Sequence, residues 1–237
     1  KGEQCDDGNL RSNDGCSSGC TAELPTWTEW IPAGLEPRGD PAIAYDSARQ
    51  RLVMFGGSSD SETWEFDGVR WRQVITADAP APRWGHSLDY DASRGVVVLF
   101  GGSYGGTPFG DTWEYDGTDW TQTATSGPAA RGDHATTYDS ANNRIVLFGG
   151  GAYGFRRSDT WAYTGAGWAS ISTGTSPIGT TGHAMAYDAA RGRVVLFGGS
   201  DAGGASSDTW ELDGSGWQQV STATSPPLPA SPLAIRS

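Results

Sequence analysis

The stretch Arg191-Gly192-Arg193-Val194-Val195-Leu196-Phe197-Gly198-Gly199 leads to Asp208-Thr209-Trp210 and then to Trp217. The same unit occurs four times. The Phe of Phe-Gly-Gly falls at Phe55, Phe100, Phe148 and Phe197. A first tryptophan falls at Trp64, Trp113, Trp161 and Trp210, and a second, seven residues later, at Trp71, Trp120, Trp168 and Trp217. Successive first tryptophans lie 49, 48 and 49 residues apart. A fixed period of this length marks a supersecondary unit that buries its apolar face against its neighbours.

Within a unit the pattern is that of four short strands, A to D. In the second copy strand A covers about His86 to Tyr90 and alternates as a half-buried strand does. Asp91-Ala92-Ser93-Arg94-Gly95 is a polar turn, and strand B is the β-branched run Val96 to Phe100. Gly101-Gly102 then permits positive φ and leaves room for a neighbouring backbone. Strand C is Thr112 to Tyr115, Asp116-Gly117 is a hairpin turn, and strand D begins near Trp120. Nothing shows a sustained helical period. Four-stranded units at this spacing fit an all-β ring of propeller blades. The eight repeated tryptophans are expected in the core.

Composition narrows the function classes. The 237 residues are 36% hydrophobic and carry a net charge of −12. That balance argues against nucleic acid, whose phosphates require a basic face, and against an anionic membrane surface. No apolar run approaches the roughly 18 residues of a membrane span, so no membrane insertion is expected. The chain opens inside a cysteine motif without an initiator Met, so it is expected to be a piece of a longer chain with further domains.

The set Phe-Gly-Gly, Asp-Thr-Trp-Glu-Tyr-Asp-Gly and Trp resembles the kelch repeat, in a bacterial form with Arg-x-x-His ahead of the Tyr-Asp pair. The resemblance runs from 27 to about 220. It implies a β-propeller of four-stranded antiparallel blades at about 38–76, 83–125, 131–173 and 180–222, within a repeat region of 25–224. Trp27 copies the second tryptophan, so 27–31 is expected to be an extra strand D without its own blade. The tail 225–237 is Pro-rich and offers at most one irregular strand. Kelch rings usually hold six or seven blades. Four imply a small ring, an open one, or one completed from outside this sequence.

The head, 1–24, holds every cysteine: Cys5, Cys16 and Cys20. Loops so dense in Asp, Asn and Gly build no core, so a disulfide or an ion is expected to hold them. Three cysteines leave one partner outside this chain. Asp6, Asp7, Asn9 and Asp14 offer oxygen ligands for calcium, and equally well make Asx turns. No cysteine pair has CxxC spacing for zinc. Gly2-Glu3-Gln4-Cys5-Asp6-Asp7-Gly8-Asn9, with Asp14-Gly15-Cys16 and Cys20, resembles the cysteine-rich repeat of secreted myxobacterial proteins and pappalysin-type proteases. It departs from that pattern at Asn13, where Gly is usual, and its first Cys falls upstream of Lys1. The resemblance and the disulfide chemistry imply a secreted or cell-surface protein.

Three histidines occupy one repeat slot: His86, His134 and His183, with Pro41 in the first copy. Three imidazoles near one axis are a candidate zinc or copper site. The alternative is that each makes the same local hydrogen bond in its own blade. The pairs Asp46/Arg51, Asp91/Arg94, Asp139/Arg144 and Asp188/Arg193 read as A–B turn ion pairs, and Asp111, Asp159 and Asp208, with Glu62, as one structural position. Galactose-oxidase-type copper chemistry needs a cysteine in the propeller, and none follows Cys20. A sialidase-type Asp-box spacing is absent, and no unique catalytic set stands out from the repeats.

The B–C loops break the repeat. They are 58–61, 103–110, 151–158 and 200–207, and they share one face with the D–A connections. Tyr104, Phe109, Tyr153, Phe155, Arg156 and Arg157 lie in them, and Trp84 with Gly85 lies in a D–A connection. Aromatic residues and Arg on loops of a rigid scaffold suit recognition. The leading expectation is a non-catalytic extracellular module binding a protein or a glycan on this face. The second is a metal-dependent enzyme, or an enzyme's accessory domain, with a site in the channel. The third is a purely structural array.

Overall fold

The strands that the repeat period implies are present in register. The computed structural model describes residues 35–123 and 126–221. The chain divides into two units, Lys1–Leu35 and Glu36–Ser237, and every described strand lies in the second. Blade 1 comprises β1 (Ala42–Asp46), β2 (Arg51–Phe55), β3 (Thr63–Phe66) and β4 (Trp71–Val74). Blade 2 comprises β5 (Ser87–Asp91), β6 (Val96–Phe100), β9 (Thr112–Tyr115) and β10 (Trp120–Gln122). Its B–C connection is a short hairpin of β7 (Ser103–Tyr104) and β8 (Thr107–Pro108). Blade 3 comprises β11 (Ala135–Asp139), β12 (Arg144–Phe148), β15 (Thr160–Tyr163) and β16 (Trp168–Ile171), with the hairpin β13 (Gly151–Ala152) and β14 (Phe155–Arg156). Blade 4 comprises β17 (Ala184–Asp188), β18 (Arg193–Phe197), β21 (Thr209–Asp213) and β22 (Gly216–Val220), with the hairpin β19 (Ser200–Asp201) and β20 (Gly204–Ala205).

Each blade is an antiparallel sheet in A-B-C-D order. The inner strands pack in series, β1 on β5, β5 on β11 and β11 on β17. Among the described residues no strand pairing joins one blade to another. The blades are held by side chains and by backbone hydrogen bonds of their connections, such as Gly102 N–H to the Arg131 carbonyl. Phe55 of blade 1 meets the edge of Trp120 from blade 2 at 5.5 Å, and the Trp120 indole N–H donates to Thr63 Oγ1 at 2.8 Å. Phe100, Trp168 and Thr112 repeat this between blades 2 and 3, and Phe148, Trp217 and Thr160 between blades 3 and 4. In blades 2 to 4 the second tryptophan is thus a wedge between blades with its N–H satisfied. The first is held within its own blade: Trp113 donates to Asp111 and Trp161 to Asp159. Of the eight, Trp64, Trp120 and Trp217 are buried and the others half-buried.

A second inter-blade device joins Arg49, Glu65 and Tyr115. Arg49 of blade 1 donates to Glu65, and the Tyr115 hydroxyl of blade 2 donates to the same carboxylate at 3.0 Å. Arg94, Glu114 and Tyr163 repeat it one blade on. Between blades 3 and 4 the three positions become Asn142, Ala162 and Leu212 together. The loss of all three at once is what avoids a buried polar group without a partner.

The Phe-Gly-Gly glycines do what their position implies. Gly101 and Gly102 have φ of 66° and 93°. A Cβ on Gly101 would lie 2.7 Å from the Arg131 carbonyl oxygen, and one on Gly102 2.8 Å from that of Trp84. The D–A connections of the next blade, at Arg131, and of the same blade, at Trp84, therefore pass backbone to backbone at this point.

The A–B turns correct two of the expected ion pairs. Asp91–Arg94 and Asp139–Arg144 form, at 2.8 and 2.9 Å. Asp46 instead pairs with Arg49, and Asp188 with Arg191, both at 2.6 Å. The turn carries its first arginine back over the Asx-type loop, three residues after the aspartate. Arg51 and Arg193 start the following strand and point elsewhere; Arg193 reaches Glu211 and Asp213. The extra strand at 27–31, the head cysteines Cys5, Cys16 and Cys20, the candidate calcium ligands Asp6, Asp7, Asn9 and Asp14, and the tail lie outside the described residues.

Candidate binding face

The B–C face is built by the three short hairpins and the D–A crossings beneath them. Each crossing bridges the hairpin of its own blade: Trp84 with Ser103, Gly132 with Gly151, and Thr181 with Ser200. The B–C connections are therefore a repeated structure in blades 2 to 4 and not irregular loops. What varies is the side chains they carry. Just before the inner strands, one residue per blade takes left-handed backbone: Asp40, Gly85, Asp133 and Gly182, with φ of 55–65°. They are linked around the axis. Gly85 N–H donates to Asp40 Oδ2, Asp133 N–H to the Gly85 carbonyl, and Gly182 N–H to the Asp133 carbonyl.

The seven expected binding residues divide into two groups. Tyr153, Phe155 and Arg156 line a groove of about 420 Å³ between the β7–β8 and β13–β14 hairpins. Gly132, Gly151, Asp133 and Thr181 complete its walls. Tyr153 and Phe155 are 77% and 76% exposed. The other four are not in this groove. Trp84 and Tyr104 stack on each other, centroids 5.0 Å apart and planes within 10°. Phe109 lies under the Arg83 guanidinium at 4.4 Å and is spent on supporting that buried cation. Arg157 is half-buried, with its Nε enclosed and without a hydrogen-bond partner. Gly85 does not open space for a ligand: a Cβ there would sit 2.7 Å from Asp133 Oδ1. Its glycine is required by the close approach of Asp133. Burial and the nearby Asp40 charge raise the pKa of Asp133 above the usual carboxylate value.

Tyr153 has φ of 52°, where the equivalent Gly105 has 56°. A bulky residue in left-handed backbone is strained by about 1–2 kcal/mol. Strain retained at an exposed aromatic residue points towards use of its side chain.

The histidines form no shared site. Among the described residues no group of three or more His, Cys, Asp or Glu is placed to hold a metal. His86 Nε2 donates to the Phe55 carbonyl at 3.1 Å, and His183 Nε2 to that of Phe148 at 3.2 Å. His134 Nε2 meets Ser87 Oγ at 3.0 Å. All three partners belong to the preceding blade, so the expected own-blade bond is corrected. Each ring also meets the Phe of that blade edge-on. Their function is to join blades.

A groove of about 550 Å³ runs along the inner strands towards the A–B turns, lined by Tyr45, Tyr90, Tyr138, Tyr187 and Asp89 among others. The repeat pattern concealed Asp89, because its equivalents are Ala44, Thr137 and Ala186. Thr136 Oγ1 of the next blade donates to it. Burial pushes its pKa up to about 7. A carboxyl whose folded pKa is raised contributes stability at low pH that is lost as pH rises through about 7. Asp89→Asn is therefore expected to gain in Tm relative to wild type as pH rises from about 4 to 7, with no further gain above that, tracked by differential scanning calorimetry. A Tm difference independent of pH would contradict this.

These features define a kelch-type β-propeller module. Residues 20–164 match the family model of the KLHDC2/KLHL20/DRC7 Kelch-repeats domain, and the chain belongs to that kelch-repeat family. Among solved structures it is similar to that of YjhT, with a TM-score of 0.66 and 18% identity over 83% of this chain and 69% of that one. At that identity the likeness is one of fold. No curated protein matches the chain.

Proposed function

We propose that the chain is a non-catalytic protein-binding module of a secreted or cell-surface protein, and that it binds its partner on the B–C face. The observation that carries this is the groove between the second and third hairpins, with two largely exposed aromatic rings, one of them held in strained backbone. Tyr153 and Phe155 serve as apolar anchors, and Arg156 as the charged contact beside them. No ion pair occupies Arg156 among the described residues, while Arg83 and Arg131 on the same face are enclosed by their aspartates. A partner segment that supplies an apolar side chain and a carboxylate fits this set. The secreted setting is supported by the cysteine-rich head.

Selection of peptides from a display library against the wild-type chain tests the reading. Peptides chosen for the groove are expected to lose about 30-fold or more in affinity for Phe155→Ala, the loss of one buried anchor. Tyr153→Gly discriminates further. It relieves left-handed strain, so it is expected to raise stability by up to about 1 kcal/mol while weakening binding. Equal affinity for wild type and both variants rejects the site. Selection by a glycan array in place of peptides rejects the protein partner.

A further inference from the structure

We propose that the groove between the β7–β8 and β13–β14 hairpins takes a peptide segment of mixed charge, with a lysine or arginine side chain on Asp133, a carboxylate on Arg156 and an apolar side chain on Tyr153 and Phe155. The groove is that of the proposed function, so this cation subsite stands only if the groove binds a partner.

Asp133 fills a slot held by Asp40, Gly85 and Gly182 in the other blades, all with left-handed backbone. Glycine adopts that conformation most readily, and Asp and Asn tolerate it. The Asp40 side chain serves the fold, because its Oδ2 accepts the Gly85 N–H at 2.7 Å. Asp133 serves the fold with its backbone: its N–H donates to the Gly85 carbonyl, and its carbonyl accepts from Gly182. A glycine would make both bonds. Among the described residues the Asp133 carboxylate accepts no hydrogen bond and pairs with no cation. It is exposed and lines the groove. Burial and the Asp40 charge both work against its ionised form, and a cation seated there favours that form against both.

Arg156 lines the same groove, yet it forms no ion pair with Asp133. Elsewhere on this face opposite charges are joined: Arg38 to Asp60 and Glu62, Arg83 to Asp111, and Arg131 to Asp159. Charges kept apart in one groove beside two exposed aromatic rings are complementary to a segment that carries both signs. Such an arrangement sets register and rejects segments of a single sign. The chain's net charge of −12 adds a general attraction for a basic segment.

Fluorescence anisotropy with short synthetic peptides, titrated into the millimolar range, tests the charge pattern. The peptides are acetylated and amidated at their ends, so only side chains carry charge. Each has a central Phe flanked by Lys and Glu, by Lys alone, by Glu alone or by neither, with Ser elsewhere. Wild type is expected to bind the Lys-and-Glu set tightest. Asp133→Asn removes the charge and keeps a residue suited to left-handed backbone. It is expected to weaken both Lys-containing sets on the order of 10-fold and to leave the Glu set unchanged. Arg156→Gln is expected to weaken the Glu-containing sets and to leave the Lys set unchanged. Thermal melts matching wild type check that both variants are folded. Lys-containing sets that bind Asp133→Asn as they bind wild type overturn the cation subsite, as does an equal loss across all four sets. In either case Glu-set binding that is lost in Phe155→Ala leaves the groove itself standing. Wild type that binds no set, or binds every set regardless of Phe155→Ala, rejects the groove and the subsite together.

Discussion

Arg131→Ala is expected to cost about 3–5 kcal/mol of stability, the loss seen when one partner of a buried ion pair is removed. The Arg131 side chain is wholly enclosed. Its guanidinium grips Asp159 through both terminal nitrogens, at 2.6 and 2.8 Å, and also donates to the Gly149 and Ala129 carbonyls. Truncation leaves a half-desolvated carboxylate and two carbonyls without their donor. Against a total stability of about 5–15 kcal/mol for a domain, such a loss is severe. Arg83 and Asp111 form the same arrangement one blade earlier, so Arg83→Ala is expected to behave alike. Blade 4 is the internal control: Thr180 stands in the arginine slot, and Asp208 is exposed with no arginine paired to it among the described residues. Urea unfolding of Arg131→Ala, Asp159→Ala and the double variant measures the coupling. Additive losses would show that the pair contributes nothing as a pair.

Acid is expected to destabilise the propeller already above the range where carboxylates titrate. Burial holds His86 and His134 down to about 3 and His183 down to about 4, from an ordinary 6.5, with the nearby Arg83 and Arg131 adding to the effect for the first two. The folded state keeps these rings neutral, and the unfolded chain protonates them below about 6.5. Their contribution is therefore fully present above pH 6.5 and is lost progressively as pH falls towards 3–4. Each lost proton site is worth about 1.4 kcal/mol per pH unit, so three sites remove about 6 kcal/mol between pH 6.5 and 5. Asp89 works in the opposite sense over the same range and offsets part of it. A net loss of 3–4 kcal/mol lowers Tm by roughly 10 °C in a chain of this size. His183→Gln is expected to flatten the acid slope of Tm between pH 6.5 and 5 by about a third of the histidine share. An unchanged slope would mean that the rings protonate within the folded state.

Much of the candidate face was visible in the residues and little of its selection. The repeat separated the variable B–C segments from the scaffold, because a period exposes whatever departs from it. It therefore singled out Tyr153, Phe155 and Arg156, which the structure gathers in one groove. It also proposed Trp84, Tyr104, Phe109 and Arg157, which are equally aromatic or cationic and equally outside the pattern. Whether an exposed-type residue is free or already engaged depends on its neighbours across the face. Phe109 meets Arg83, 26 positions away, and Trp84 meets Tyr104 through the crossing under the hairpin. One signal was present and unread: Arg49, Glu65 and Tyr115 vary together with their equivalents, and that covariation between copies marks an inter-blade contact.

The sequence by itself determined the strands, their order within a blade and the spacing of the blades, since these follow from local alternation, paired glycines and a period. It marked the repeated tryptophans as structural positions, because a residue repeated in register answers a need that every blade has, and it left the histidines open between a metal site and a local hydrogen bond. Tertiary structure decided the rest. It chose Arg49 and Arg191 over Arg51 and Arg193 as turn partners, since chain path and not sequence distance sets reach. It turned the histidine bonds towards the preceding blade. It also placed Tyr153 and Phe155 beside Asp133 in one groove and raised the pKa of Asp89. Each of these is a property of residues brought together from successive blades, and the energy of such contacts depends on burial and distance that no single repeat contains.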